Sequence, residues 1–233
     1  MEEAGWAARE PLAGGHEALA ICVSDGAGFA ANGGVGARIV SRFLANWLAS
    51  NADAVFDADC DDRTWAIAAS LRRLLRRAAL SAHATFKSYA CTLVALLVTT
   101  HGKWLTAHVG DGGIVGSFAG KLQIISGPRK GEFANETFFV TDADVVDNIR
   151  IQIGACGNLE RVPKGFALFT DGVECSVVNR QTGQVSQVLA KMFDWLLNYP
   201  ESDVAQALES NLRDVFRERS NDDCSLVIVV RYP

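Results

Sequence analysis

Three aspartates stand at the ends of apolar runs, each followed by glycine. Ile21-Cys22-Val23-Ser24 leads into Asp25-Gly26, Thr106-Ala107-His108-Val109-Gly110 into Asp111-Gly112, and Ala167-Leu168-Phe169-Thr170 into Asp171-Gly172. A fourth acidic group, Asp222-Asp223, comes directly before the apolar run Leu226 to Val230. Asp-Gly is a favoured turn pair, so any one of the three reads most simply as a turn. Hairpin chemistry does not cover all four, because Asp25-Gly26 runs into a helical segment and Asp222 precedes a strand. Carboxylates at adjacent strand ends converge and repel one another unless something neutralises them. Hard divalent cations bound through oxygen, Mg²⁺ or Mn²⁺, do so. Two such ions in a carboxylate cluster suit hydrolysis of a phosphate ester, where they activate a water and neutralise charge on the phosphoryl group.

Four helical segments and seven short strands would have to position these groups. From Val35, the residues Ile39, Val40, Phe43, Leu44, Trp47 and Leu48 recur at three- and four-residue steps behind a Gly-rich entry, giving one apolar helix face. A second helix is expected from about Arg63 to Lys87, with Trp65, Ala68, Leu71, Leu75 and Ala78 inward. Arg72, Arg73, Arg76 and Arg77 lie on its other side as a solvated face, with phosphate docking as the less simple reading. A third helix runs from Val185 to Leu197 and closes before Pro200, and Ser202 then caps a fourth carrying Val204, Leu208, Leu212 and Val215. Strand-like runs cover Leu19 to Ser24, Tyr89 to Thr99, Trp104 to Val109, Ile114 to Phe118, Leu122 to Ile125, Phe166 to Thr170 and Ser225 to Arg231. The breaks Thr100-His101-Gly102-Lys103 and Ala119-Gly120 read as hairpins, so the sheets are expected to be mainly antiparallel and the class α+β.

Composition narrows the partners. The chain has 233 residues, 49% of them hydrophobic and 21% charged, with 22 Lys plus Arg against 27 Asp plus Glu and a net charge of −5. These values fit a single globular domain spanning 1–233 and argue against a general electrostatic grip on nucleic acid. No apolar run approaches the roughly 20 residues of a membrane helix. The acidic Met1-Glu2-Glu3 start does not resemble a secretory signal, so a cytoplasmic protein is expected. Six cysteines without C-x-x-C spacing signal neither zinc nor a redox pair; Cys22, Cys91 and Cys224 read as small buried hydrophobes.

The strings Ser24-Asp25-Gly26-Ala27-Gly28, Val109-Gly110-Asp111-Gly112, Phe169-Thr170-Asp171-Gly172-Val173 and Asn221-Asp222-Asp223-Cys224-Ser225 resemble, in order, the motifs of the metal-dependent protein phosphatases, the type 2C or PPM family. Lys130-Gly131-Glu132-Phe133-Ala134-Asn135-Glu136-Thr137 is similar to a segment of its bacterial branch. The resemblance implies two stacked, mainly antiparallel sheets flanked by helix pairs, a four-layer αββα sandwich. It implies that Asp25 bridges two Mn²⁺ or Mg²⁺ ions, that Gly26 offers its carbonyl to one, that Asp171 and Asp222 hold the first, and that Asp111 helps bind a third. The implied reaction is attack of a metal-bridging water on phosphoserine or phosphothreonine of a protein substrate, with a cognate kinase as counterpart.

Two departures from the family pattern bear on the site. The family begins with a strand carrying a phosphate-gripping Arg and then an acidic pair, whereas only Met1-Glu2-Glu3-Ala4 could match that pair here. Glu2 and Glu3 are therefore candidates to support the metal ligands or to hold the second metal themselves, and the Arg-bearing first strand has no counterpart. Either the sequence belongs to a longer protein, or second-metal and phosphate binding are weakened. At Ala27 many relatives carry a His able to protonate the leaving group, so the general acid is unassigned. Two other readings keep the fold: a catalytically impaired pseudophosphatase acting as a binding module, and a hydrolase of small phosphate esters. A dinucleotide loop fails on spacing, since after Gly34 and Gly36 the third glycine position is Ile39. His16, His83, His101 and His108 have no metal-ligand spacing, and Phe138-Phe139 reads as core packing before a substrate-facing flap.

Overall fold

The computed structural model describes residues 2–118, 120–128, 137–154, 163–179, 182–212 and 222–231. The chain divides into two compact units, one of Met1–Asp111 with Pro128–Cys156 and one of Gly112–Gly127 with Gly157–Pro233.

The first unit is built on a five-stranded antiparallel sheet: β1 (Glu3–Pro11), β2 (Glu17–Asp25), β3 (Leu93–Thr99), β4 (Trp104–Val109) and β7 (Arg150–Gly154), in the order β1-β2-β3-β4-β7. Its helices are α1 (Gly33–Ser50), the short α2 (Ala52–Asp57), α3 (Cys60–Ser81) and the single turn α4 (Val145–Asn148). α1 lies on β1, β2 and β3 and also touches α3. Its buried stripe of Val40, Leu44 and Leu48 meets Cys22, Leu93, Ala95 and Leu97 from the sheet and Ile67, Leu71 and Leu75 from α3. This core follows from the three- and four-residue apolar period of both helices.

The second unit carries a four-stranded antiparallel sheet of β5 (Gly113–Phe118), β6 (Lys121–Ser126), β8 (Gly165–Phe169) and β9 (Leu226–Val230), ordered β6-β5-β8-β9. With it go α5 (Asp171–Val177), α6 (Gln187–Asn198) and α7 (Glu201–Asn211). Phe169, Val173, Leu189, Met192 and Phe193 are buried together at its centre.

All seven expected strands form, with ends shifted by a few residues, and both hairpin breaks join paired strands. Two strands carry too weak a signal to read in advance. β1 is an edge strand of Ala, Gly, charged residues and a single Trp6, ending in Pro11, and β7 is a five-residue edge strand; edges have only one neighbour and tolerate such sequences. The Tyr89 to Thr99 run becomes strand only from Leu93, because Phe86–Tyr89 is a 3-10 turn and Cys91 pairs with Gly26 as an isolated bridge.

The helices need several corrections. α3 stops at Ser81, not Lys87, because His83 takes a left-handed φ of 52° and the Ala84 N–H returns to the Ala79 carbonyl. Trp65, expected inward, is 62% exposed. The third helix starts at Gln187 behind a Ser186 cap whose hydroxyl accepts from the Val188 N–H, while Val185 bridges to Val178. Ser202 is not the cap of the fourth: α7 begins at Glu201, and the Ser202 hydroxyl donates to Asp203 within the first turn. Val215 of that helix lies outside the described residues. No described helix is long and apolar enough to cross a membrane.

Candidate metal-binding site

In the first unit the site grows from the β1–β2 pairing. The register places Glu3 directly opposite Asp25, so two carboxylates share one face of the ribbon with their Cβ atoms roughly 5 Å apart. Glu3 is 8% exposed. Like charges so placed destabilise a sheet, and a hard cation between carboxylate oxygens is the simplest relief. The donor set therefore fits a divalent ion. The Gly26 N–H donates to the Glu2 carbonyl at 3.1 Å, which pins the chain start against the turn. Ser24 Oγ donates to the Thr92 carbonyl at 2.6 Å, and Thr92 Oγ1 accepts from the Asp25 N–H at 3.0 Å, which fixes Asp25 from the other side.

The Gly-rich entry to α1 has a steric cause. A Cβ on Gly26 would lie 2.3 Å from the Gly33 carbonyl carbon and 2.5 Å from the Gly34 nitrogen, and one on Gly36 would lie 2.4 Å from the Tyr89 oxygen. Only glycines allow the first turn of α1 to seat against the Asp25-Gly26 turn.

Asp111 follows a left-handed Gly110 (φ 97°) packed against Thr92 and the Phe138 carbonyl. Thr137 Oγ1 donates to Asp111 Oδ2 at 2.9 Å and so aims the carboxylate. Behind it, His108 Nε2 donates to the Asp111 carbonyl at 3.0 Å, while His108 Nδ1 accepts from Arg150 at 2.8 Å. Burial first, and the Arg150 charge second, lower the His108 pKa to about 3, so the ring is neutral and holds both bonds. As pH falls from about 6.5, the unfolded chain takes up a proton that the folded chain refuses until near pH 3. Stability should therefore fall by up to about 1.4 kcal/mol per pH unit from this one group. Urea unfolding in EDTA at pH 7, 6 and 5 should show a slope that His108→Gln reduces by about one proton; an equal slope in the variant would assign the loss elsewhere.

In the second unit, β8 ends at Phe169 opposite Leu226, the first residue of β9, so Asp171 and Asp222 flank adjoining strand ends. The segments are locked by Thr170 N–H to the Ser225 carbonyl at 3.2 Å and Ser225 N–H to Thr170 Oγ1 at 3.1 Å. Gly172 packs so closely that a Cβ would stand 2.0 Å from the Asp223 oxygen. Cys224 is half-buried and not simply apolar filling, because its thiol reaches the Gly172 carbonyl at 3.4 Å. Asp171 opens α5 and does not sit in a hairpin.

Thus Glu3 and Asp25 face each other beside Gly26, with Asp111 beyond Thr92, in the first unit, and Asp171 and Asp222 flank adjoining strand ends in the second. Among the described residues no group of three His, Cys, Asp or Glu forms a ready metal cluster. The supporting hydroxyl of Thr92 gave no signal in advance, since isolated threonines beside strands are commonplace, and the motif strings that contain Thr137 and Thr170 did not mark out their hydroxyls. Ala27 packs with Ala30 and Ala90, partly covered by Phe139, and Phe138 lies on the core, in keeping with packing. Residues 130–136 of the bacterial-branch segment, Asn221 and Cys156 lie outside the described residues.

A model of protein phosphatase 2C matches residues 12–213, which run through both units. The chain is 29% identical over 161 residues to serine/threonine-protein phosphatase 3 of Escherichia coli strain K12, covering 69% of this chain and 61% of that relative. It thus spans about three-fifths of the length of that curated relative. Among solved structures, serine/threonine phosphatase Stp1 from Staphylococcus aureus shares the fold with a TM-score of 0.61 at 16% identity, over 100% of this chain and 89% of that one. The catalytic domain of serine threonine protein phosphatase PstP, in complex with two manganese ions, does so with a TM-score of 0.53 at 17% identity, over 97% and 95%. The α+β arrangement of two antiparallel sheets is therefore the fold of these phosphatases, and the match of the family model over most of its length shows that this chain belongs to the protein phosphatase 2C family.

Proposed function

We propose that this chain is a metal-dependent serine/threonine protein phosphatase that uses Mn²⁺ or Mg²⁺, two ions with a third at Asp111. The observation that carries the reading is the Glu3–Asp25 pairing at the end of β2, which sets two carboxylates side by side as oxygen donors suited to a hard cation. When bound, such ions supply an activated water and neutralise charge on a phosphoryl group. Asp25, with Glu3 and the Gly26 carbonyl, would hold ions from the first unit. Asp171 and Asp222 would hold the first metal from the second unit, as the family resemblance implies, and Asp111, aimed by Thr137, would take the third. Ala27 has no proton to give, so this chain provides no side-chain acid there. The name of the Escherichia coli relative and the manganese ions of the PstP catalytic domain support this reading. A phosphorylated protein is the proposed substrate and a kinase the proposed counterpart.

The test is turnover of a phosphothreonine peptide and an aryl phosphate with Mn²⁺, Mg²⁺ or EDTA. Turnover should require metal, vanish in EDTA, and fall at least roughly a hundredfold in Asp171→Asn and Asp222→Asn. Metal-independent turnover, or full activity in both variants, would overturn the assignment.

A further inference from the structure

We propose that the outer face of α3, from Trp65 to Leu80, docks an acidic extended segment of a protein partner. The carboxylates of that segment would sit on Arg73, Arg76 and Arg77, with an apolar side chain against Trp65 or Leu80.

The face is a groove of about 420 Å³ in which the arginines lie between Trp65, Leu80 and Val146. Those three apolar residues are 62%, 76% and 41% exposed. A merely solvated helix face has no use for an exposed tryptophan and leucine on the same side as its cations, and large exposed apolar groups rimmed by charge mark interaction surfaces.

The cations are also arranged. Arg72 is turned inward, donating to the main-chain carbonyls of Val140 and Asp142. Its guanidinium lies 5.1 Å from the Phe86 ring centroid, and that of Arg76 lies 5.2 Å from the same ring. One aromatic ring thus holds two like charges together. Burial and then the Arg76 charge lower the Arg72 pKa, against partial compensation from Asp142 and Asp144. Asp142 is itself engaged by the Phe139 N–H at 2.7 Å. Arg73, Arg76 and Arg77 are exposed, and none of them meets a carboxylate in an ion pair among the described residues.

Charge complementarity selects the occupant. This is a concentrated cationic stripe on a chain of net charge −5, so an anionic partner is drawn here specifically. The distance from Trp65 to Leu80 along the helix is about 22 Å, the span of roughly seven extended residues. A short acidic segment with one apolar anchor therefore matches both the length and the chemistry, and arginine and tryptophan are both enriched at binding hot spots.

The probe is a fluorescein-labelled nine-residue peptide with leucine at each end and alternating Asp and Glu between, titrated with the full chain in EDTA. A Gln/Asn peptide serves as its neutral control. The acidic peptide should bind at least tenfold tighter than the control, and binding should weaken steeply between 50 and 200 mM salt. Arg73→Gln with Arg77→Gln should weaken it at least tenfold and Trp65→Ser about threefold. All three positions are exposed, so these variants should keep the wild-type melting temperature, and their turnover of an aryl phosphate should be unchanged. Equal affinity for the two peptides, unchanged binding by the variants, or tighter binding of single-stranded RNA or anionic vesicles than of the peptide would overturn the proposal. The readout is binding, so it stands whether or not the chain proves to be a phosphatase.

Discussion

Asp25→Asn should abolish metal-dependent hydrolysis while making the metal-free protein more stable. Asp25 faces Glu3 across the β1–β2 ribbon, with Glu3 buried and Asp25 half-buried. Removing one of two opposed charges relieves about 0.2–1 kcal/mol of repulsion in EDTA. With Mn²⁺ the order should reverse. Wild type gains about 2.7 kcal/mol at a metal concentration a hundred times its dissociation constant, and the variant loses most of that gain. Turnover should fall at least roughly a hundredfold. Glu3→Gln should show the same crossing of melting temperatures with a smaller loss of turnover. Thermal unfolding of the three proteins, each with EDTA and with Mn²⁺, reads the result. If Asp25→Asn melts lower than wild type in EDTA, the carboxylate pair is not the source of strain; if its metal shift equals that of wild type, Asp25 is not a ligand.

Gly26→Ala should be strongly destabilising. The added Cβ would stand 2.3 Å from the Gly33 carbonyl carbon and 2.5 Å from the Gly34 nitrogen. Both are backbone atoms at the start of an 18-residue helix whose buried face is embedded in the core, so no rotamer change relieves the clash. Overpacking against such a wall costs about 3 kcal/mol or more, a drop in melting temperature of roughly 6 to 12 °C. Gly28→Ala, two residues on, provides the contrast. Its Cβ meets nothing nearer than the Glu2 carboxylate at 3.8 Å, and the expected change is within about 0.5 kcal/mol. Differential scanning calorimetry of both variants in EDTA is the check. Equal melting temperatures would mean that α1 can slide away from the turn.

Much of this architecture was legible because its signals are local. α1 and α3 announce themselves by apolar period, the inner strands by runs of Val, Leu and Ile, and the acidic motifs by standing at the ends of those runs. Where the reading failed, the deciding contact came from elsewhere in the chain. β1 offers almost no apolar alternation and exists because β2 supplies its hydrogen bonds. Trp65 fits an inward helical position by spacing, yet α3 presents it outward because the core side of the helix is already filled by Ile67, Leu71 and Leu75. Cys224 looks like the start of an apolar strand, but its thiol is spent on the Gly172 carbonyl.

By itself the sequence determined which residues are candidates for the chemistry: four acidic motifs in a fixed order, glycine after three of them, and no titratable group at Ala27. Residue type and chain order are properties of the chain alone. Tertiary structure decided which partners those residues meet. Glu3, already a candidate in the sequence, is set opposite Asp25 by the register of a weak edge strand, Asp111 is aimed by Thr137 from 26 positions away, and Gly172 must be glycine because residue 223 lies against it. Such contacts depend on long-range pairing and close packing, which no local pattern encodes.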